Sequence, residues 1–196
     1  MMKKVLMMAI VALMAVVSVN AQTKGDVNYR FRGGITISNL TNSDNFKNKI
    51  GWSLGTGFDF FFTDKFALGL DLTHDVIGAE VKSRDENFNL EYIGFGPLAK
   101  YYALPWLSVY AGPEINFLTS AKFDDVSYKS YCKKTEFSVP VGISFEPVIN
   151  KSKNIALIID LRARFGLSKV DKEGFIWGND IKNNAFIFTL GCRYPL

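Results

Sequence analysis

Thirteen charged residues fall on a single parity within segments that otherwise read as strands, and they are the first place to look for chemistry. The cations are Arg30, Arg32, Lys100, Arg162, Arg164 and Arg193; the anions are Asp59, Asp71, Asp75, Glu114, Glu136, Glu146 and Asp160. On the inside of a closed sheet such a set can do one of two things. It can pair off, which offsets a desolvation cost of several kcal/mol per buried ion. Alternatively it can line a narrow path for ions or protons. Nearly equal numbers of the two signs favour pairing. Acid–base catalysis has one candidate stretch, Asp71-Leu-Thr-His74-Asp75. Alternate residues of a strand face opposite ways, so His74 points away from Asp71 and Asp75. No serine or cysteine arrangement completes a triad, and the reading is non-enzymatic. His74 is the chain's one histidine, which excludes a multi-histidine metal centre. No cofactor signature is present.

These residues need strands to position them. A chain of 196 residues is one domain, or two at most. Hydrophobic residues are 48% and aromatics 14%, with 17 Phe and 8 Tyr, and aromatic side chains pack well on pleated surfaces. Residues 1–21 read as a cleaved signal peptide: Lys3 and Lys4 precede an apolar core, Val5 to Val17, and Val19-Asn20-Ala21 supplies the small residues before Gln22. That leaves 22–196 as the folded domain. The formal charge of +4 falls to +2 without Lys3 and Lys4, and no basic cluster interleaved with aromatics speaks for nucleic acid.

Period-2 alternation then recurs eight times. Val27–Ser38, Ile50–Phe62, Phe66–Ile77, Leu90–Tyr102, Trp106–Leu118, Thr135–Glu146, Asn154–Ser168 and Ala185–Leu196 each set a bulky apolar face against a face of glycine and charge. In the fourth, Ile93, Phe95, Ala99 and Tyr101 are placed outward and Gly94, Gly96 and Lys100 inward. The connections alternate long and short: Asn39–Lys49, Gly78–Asn87, Thr119–Lys134 and Lys169–Asn184 are long, while Thr63-Asp64-Lys65, Ala103-Leu104-Pro105 and Val148–Lys153 are brief. No stretch after the leader has helical periodicity.

A soluble barrel would bury the bulky face and show the charged one to water. The alternation of tight turns with long loops is instead that of an outer-membrane barrel. Glycine on a solvent face would weaken strands, whereas in a narrow lumen it leaves room for long charged neighbours. The expected fold is all-β: an eight-stranded antiparallel up-and-down transmembrane β-barrel with both termini on the periplasmic side. Trp52, Trp106, Tyr101, Tyr102 and Tyr194 suit the interfacial girdles. Cys132, by an external loop, and Cys192, near the periplasmic end, lie further apart than the ~7 Å a disulfide allows. In the external loops, Phe46, Phe123, Tyr128, Tyr131, Phe175 and Trp177 either contact a partner or cap the barrel.

The order of Arg32-Gly-Gly-Ile-Thr-Ile-Ser-Asn-Leu40, Phe66-Ala-Leu-Gly-Leu-Asp-Leu72, Tyr110-Ala-Gly-Pro-Glu114, Leu161-Arg-Ala-Arg-Phe-Gly-Leu167 and the terminal Gly191-Cys-Arg-Tyr-Pro-Leu196 resembles the PorT-like, "porin family" outer-membrane β-barrel proteins of Bacteroidota-type bacteria. The chain departs from that pattern twice: Gly94 and Gly96 stand where an acidic residue and a proline are usual, and Leu196 replaces a terminal aromatic. The resemblance implies the outer membrane as location, and it implies little about activity. The expected partners are outer-membrane lipid and lipopolysaccharide, the barrel-assembly machinery through the last strand, and an external ligand of the loops. The leading expectation is a structural or interaction role with a charge-paired, largely closed lumen. A narrow porin-like channel is the alternative, and a loop-mediated adhesion or secretion-assembly component the third.

Overall fold

The computed structural model describes residues 22–41, 46–81, 86–124, 126–170, 172 and 181–196; the expected leader lies outside them. The described chain holds twelve strands and no helix: β1 (Val27–Leu40), β2 (Phe46–Lys47), β3 (Lys49–Phe61), β4 (Phe66–Val81), β5 (Glu86–Leu104), β6 (Leu107–Ala111), β7 (Glu114–Phe123), β8 (Val126–Ser127), β9 (Thr135–Phe145), β10 (Val148–Asn150), β11 (Ile155–Gly166) and β12 (Asn183–Pro195). β6 and β7 make one stave between β5 and β9, so β1, β3, β4, β5, β6 with β7, β9, β11 and β12 form an antiparallel ring of eight. Closure runs from Asn28 opposite Pro195 to Leu40 opposite Asn183. In lipid this ladder is obligatory, because each unpaired backbone group costs several kcal/mol. The expected eight-stranded barrel is therefore the observed fold, with β12 between β11 and β1.

The wall is apolar outside and polar inside. Phe31, Ile35, Trp52, Phe58, Phe95, Phe117, Phe137, Phe165, Phe186 and Leu190 are all exposed. A girdle this continuous exceeds the apolar patches of soluble monomers, and lipid solvates it. The fourth stave takes the phase expected, with Ile93, Phe95 and Tyr101 out and Lys100 in.

Three boundaries differ from the sequence reading. The supposed loop over 78–87 is mostly hairpin, since β4 continues to Val81, opposite Glu86, and β5 starts four residues before Leu90. Gly78 bends the arm with φ 141°, at a point where a side chain would run into the Phe88 carbonyl. Likewise β7 extends into the supposed loop 119–134 and turns back through β8. The fifth stave, expected to be continuous, breaks at Gly112-Pro113, because proline has no N–H to give its neighbour.

Candidate functional site

All thirteen predicted inward charges are buried in the lumen. Every stave contributes, because each strand's inner parity carries at least one of them. They also touch one another in an unbroken sequence. At the end that holds both termini, Arg193 Nε lies 3.2 Å from Glu146, and Lys100 Nζ bridges Glu146 at 3.2 Å and Asp59 at 2.9 Å. Arg30 links Asp59 at 2.7 Å to Asp71 at 2.8 Å. Asp71 is the hub: it also takes Arg32 at 2.5 Å and Arg162 at 2.6 Å. Arg162 reaches Glu114 at 3.6 Å, and Arg164 then joins Glu114 at 3.8 Å, Asp75 at 3.0 Å and Glu136 at 3.1 Å. Asp160 enters through Tyr110, whose hydroxyl donates to it at 2.8 Å and accepts from Arg162 Nε at 3.1 Å.

Several members were not read from the sequence. Tyr110 shares the inner parity of Glu114 and is buried with it. It crosses the lumen above Gly142, where a Cβ would collide with its ring. Tyr92 lies under Arg164, 5.5 Å from its guanidinium carbon. Tyr102, expected in the interfacial girdle, is instead buried, its hydroxyl 3.3 Å from Glu146. Its parity, shared with Lys100, is the sequence signal for the inward orientation. Ser53 donates to Asp75 at 2.5 Å, Ser138 to Glu114 at 3.0 Å and Asn116 to Ser138 at 2.8 Å. These hydroxyls and amides fill lone pairs that the ion pairs leave open.

Above the ionic section, at the loop end, the same inner parity turns apolar. Leu40, Ile77, Ala79, Phe88, Leu90, Leu118 and Ile187 are buried there together with Cys132, Val170 and Ile181 from the loops. Backbone bonds knit those loops, Lys133 N to Val170 O at 2.8 Å, Lys172 N to Tyr131 O at 3.0 Å and Val170 N to Ile181 O at 2.9 Å. The lumen is thus filled by ion pairs and capped by an apolar plug.

The candidate loop contacts divide. Phe46 is buried in the cap, while Phe123 and Tyr128 pack against it with ring centroids 6.0 Å apart. Tyr131 is exposed. Phe175 and Trp177 lie outside the described residues. Of the other proposed girdle aromatics, Trp52, Tyr101 and Tyr194 are exposed. His74 stacks on Trp52 on the outer wall, 4.9 Å between ring centroids, across the sheet from Asp71 and Asp75. It forms no acid–base pair with them. Cys132 and Cys192 are not joined in a disulfide.

A family model described as "Outer membrane protein beta-barrel domain" matches residues 9–194. Among solved structures, the chain is similar to Ail, the attachment invasion locus protein of Yersinia pestis, at 19% identity over 85% of this chain and 98% of that one, with a TM-score of 0.51. It is similar to the same protein in complex with the heparin analogue sucrose octasulfate, at 18% identity, 87% and 99% coverage and a TM-score of 0.53. The outer membrane protein OprG from Pseudomonas aeruginosa matches at 14% identity over 90% of this chain and 98% of that one, with a TM-score of 0.51. No curated protein matches in sequence. At such identities these likenesses speak for the fold alone.

Proposed function

Since the chain belongs to the outer membrane protein beta-barrel domain family and resides in the outer membrane, we propose that it is a small integral barrel of structural or interaction role whose lumen does not conduct. One observation carries this reading: the ion-pair chain spans the lumen and an apolar plug covers its loop end. A permeant ion would have to part charges that are several kcal/mol worse apart than together. The test is a planar-bilayer recording on the purified protein. A silent membrane is the expected result, and steady ion-selective openings would sink the closed lumen in favour of the narrow channel.

Within the family we place the chain with the PorT-like proteins. Residues 1–21 are removed as a signal peptide, so that Edman sequencing of the outer-membrane protein starts at Gln22. Both termini face the periplasm, and β12 is the strand that the assembly machinery engages. The loops face lipopolysaccharide and the exterior. A second reading, an adhesion or secretion-assembly role, is favoured by Tyr131, exposed on loops held rigid by backbone bonds. Shortening residues 126–131 should then abolish partner capture while leaving the barrel folded.

A further inference from the structure

The ionic chain has an unfinished end. Around the termini the lumen holds Arg30, Lys100 and Arg193 against Asp59 and Glu146, while Asp71 is shared among three arginines. Arg193 is 0% exposed and tethered through Nε alone; its Nη1 and Nη2 have no hydrogen-bond partner. Among the described residues, no other arginine has both terminal nitrogens buried and unsatisfied. Buried donors in folded proteins are nearly always paired, and a surplus buried cation is costlier still.

Beside the unpartnered acceptors Asp59 Oδ1 and Gln22 Oε1, two groups able to donate lack partners near the same end. Asn28 Nδ2 is one, and its residue pairs across the sheet with Asp59 on one side and Pro195 on the other, next to the Arg30–Arg193 pair. Ser108 Oγ is the other. Its residue faces Tyr102, whose hydroxyl meets Glu146, the carboxylate that holds Arg193. Although the whole lumen holds six cations to seven anions, at this end three cations face Asp59 and Glu146 alone apart from the shared Asp71, and the two free amines of Arg193 call for an anion.

We propose that Arg193, with Asn28 and Ser108, forms an internal site for a small monovalent inorganic anion of the halide class. Size and charge follow from the surroundings. At this end one cation is in excess, and the Gln22 side chain is buried there, donating to Pro105 O at 2.9 Å. Because only Nε is tethered, both terminal amines of the rigid guanidinium fork remain available to donate to an ion while Nε holds Glu146. The ion is stored and does not cross, because the apolar cap closes the far end.

The test uses the full-length barrel purified in detergent, with the thermal unfolding midpoint read in sodium chloride or bromide against sodium gluconate at matched ionic strength. Halide should raise the wild-type midpoint as the logarithm of its concentration above the dissociation constant. Arg193→Gln should abolish that dependence, and Asn28→Ala and Ser108→Ala should each move it to higher halide. Equal midpoints in all the salts, or a halide effect unchanged in Arg193→Gln, would overturn the site. Should Arg193→Gln fail to fold, bromide-soaked crystals of the wild type decide the matter: an anomalous peak beside Arg193 supports it, and a blank map overturns it.

Discussion

Neutralising the hub of the lumen is the sharpest perturbation available. In Asp71→Asn the three arginines fare differently. Arg30 keeps Asp59 at 2.7 Å, and Arg162 keeps Glu114 at 3.6 Å and Tyr110 at 3.1 Å, but Arg32 loses the one ion pair it makes among the described residues. The cost is therefore that of one fully stranded guanidinium plus two weakened ones. Removing one partner of a buried pair typically costs about 3–5 kcal/mol, which is roughly a 10²–10⁴-fold shift in the unfolding equilibrium. This comes in spite of a better overall count of six cations to six anions, since position outweighs the sum. The comparison is Glu80→Gln, which breaks the exposed Lys47–Glu80 pair at 3.2 Å and should cost about 0–1 kcal/mol. Removing the stranded charge as well, in Asp71→Asn with Arg32→Gln, should recover about 1–3 kcal/mol as coupling between neighbours. Urea titration of each variant in detergent, followed by the heat-modifiable gel shift, reads all three. If Asp71→Asn proved no worse than Glu80→Gln, or the double variant no better than the single, the picture of a load-sharing hub would be wrong.

Other expectations follow from the wall and the cap. Leu190 stands four residues from the Tyr194 girdle, roughly 10 Å up the axis at ~3.3 Å per residue and ~40° tilt, which is close to the middle of a ~25 Å apolar band. Leu190→Arg should thus cost about 2–4 kcal/mol, while Leu196→Arg, beyond the girdle, should cost about 0–1; equal effects in a vesicle-refolding titration would refute the outward assignment of β12. Gly142→Ala should push Tyr110 off Asp160 and destabilise by about 1–3 kcal/mol, with near-ultraviolet dichroism reporting the displaced ring. Cys132, buried in the cap, should react with a polar maleimide only slowly in the folded barrel and quickly in urea; fast labelling of the folded form would mean that the cap is open.

The eightfold alternation was legible because a two-faced wall imposes period 2 on every stave, and the fold follows from it. The thirteen charges were legible by parity alone, as was the separation of His74 from Asp71 and Asp75. The cap was not. Ile77, Ala79, Leu90 and Leu118 continue the inner parity of Asp75, Glu114 and their neighbours, but the flanking charges of 78–87 suggested an end to the strands. Tyr102 was misplaced for a related reason: an aromatic near a strand end serves equally well in a girdle or in a lumen, and only its distance to Glu146 separates the two. Pairing geometry lay out of reach too, since which arginine meets which carboxylate depends on register and stagger around the ring. Period 2 fixes the face of a residue and leaves its height undetermined.

Because all eight staves feed the ionic chain, Asp75 of the third stave meets Arg164, which only the seventh delivers, and Arg193 arrives with the eighth to meet Glu146. An open sheet inserted stave by stave would hold those charges against hydrocarbon with nothing to meet them. Burial of the charges and joining of β12 to β1 must therefore happen together, and the late step of assembly carries most of the electrostatic gain. Partly built barrels should be scarce at equilibrium, and the inner face of the early staves has to be shielded, by water or by a chaperone surface, until the late ones arrive.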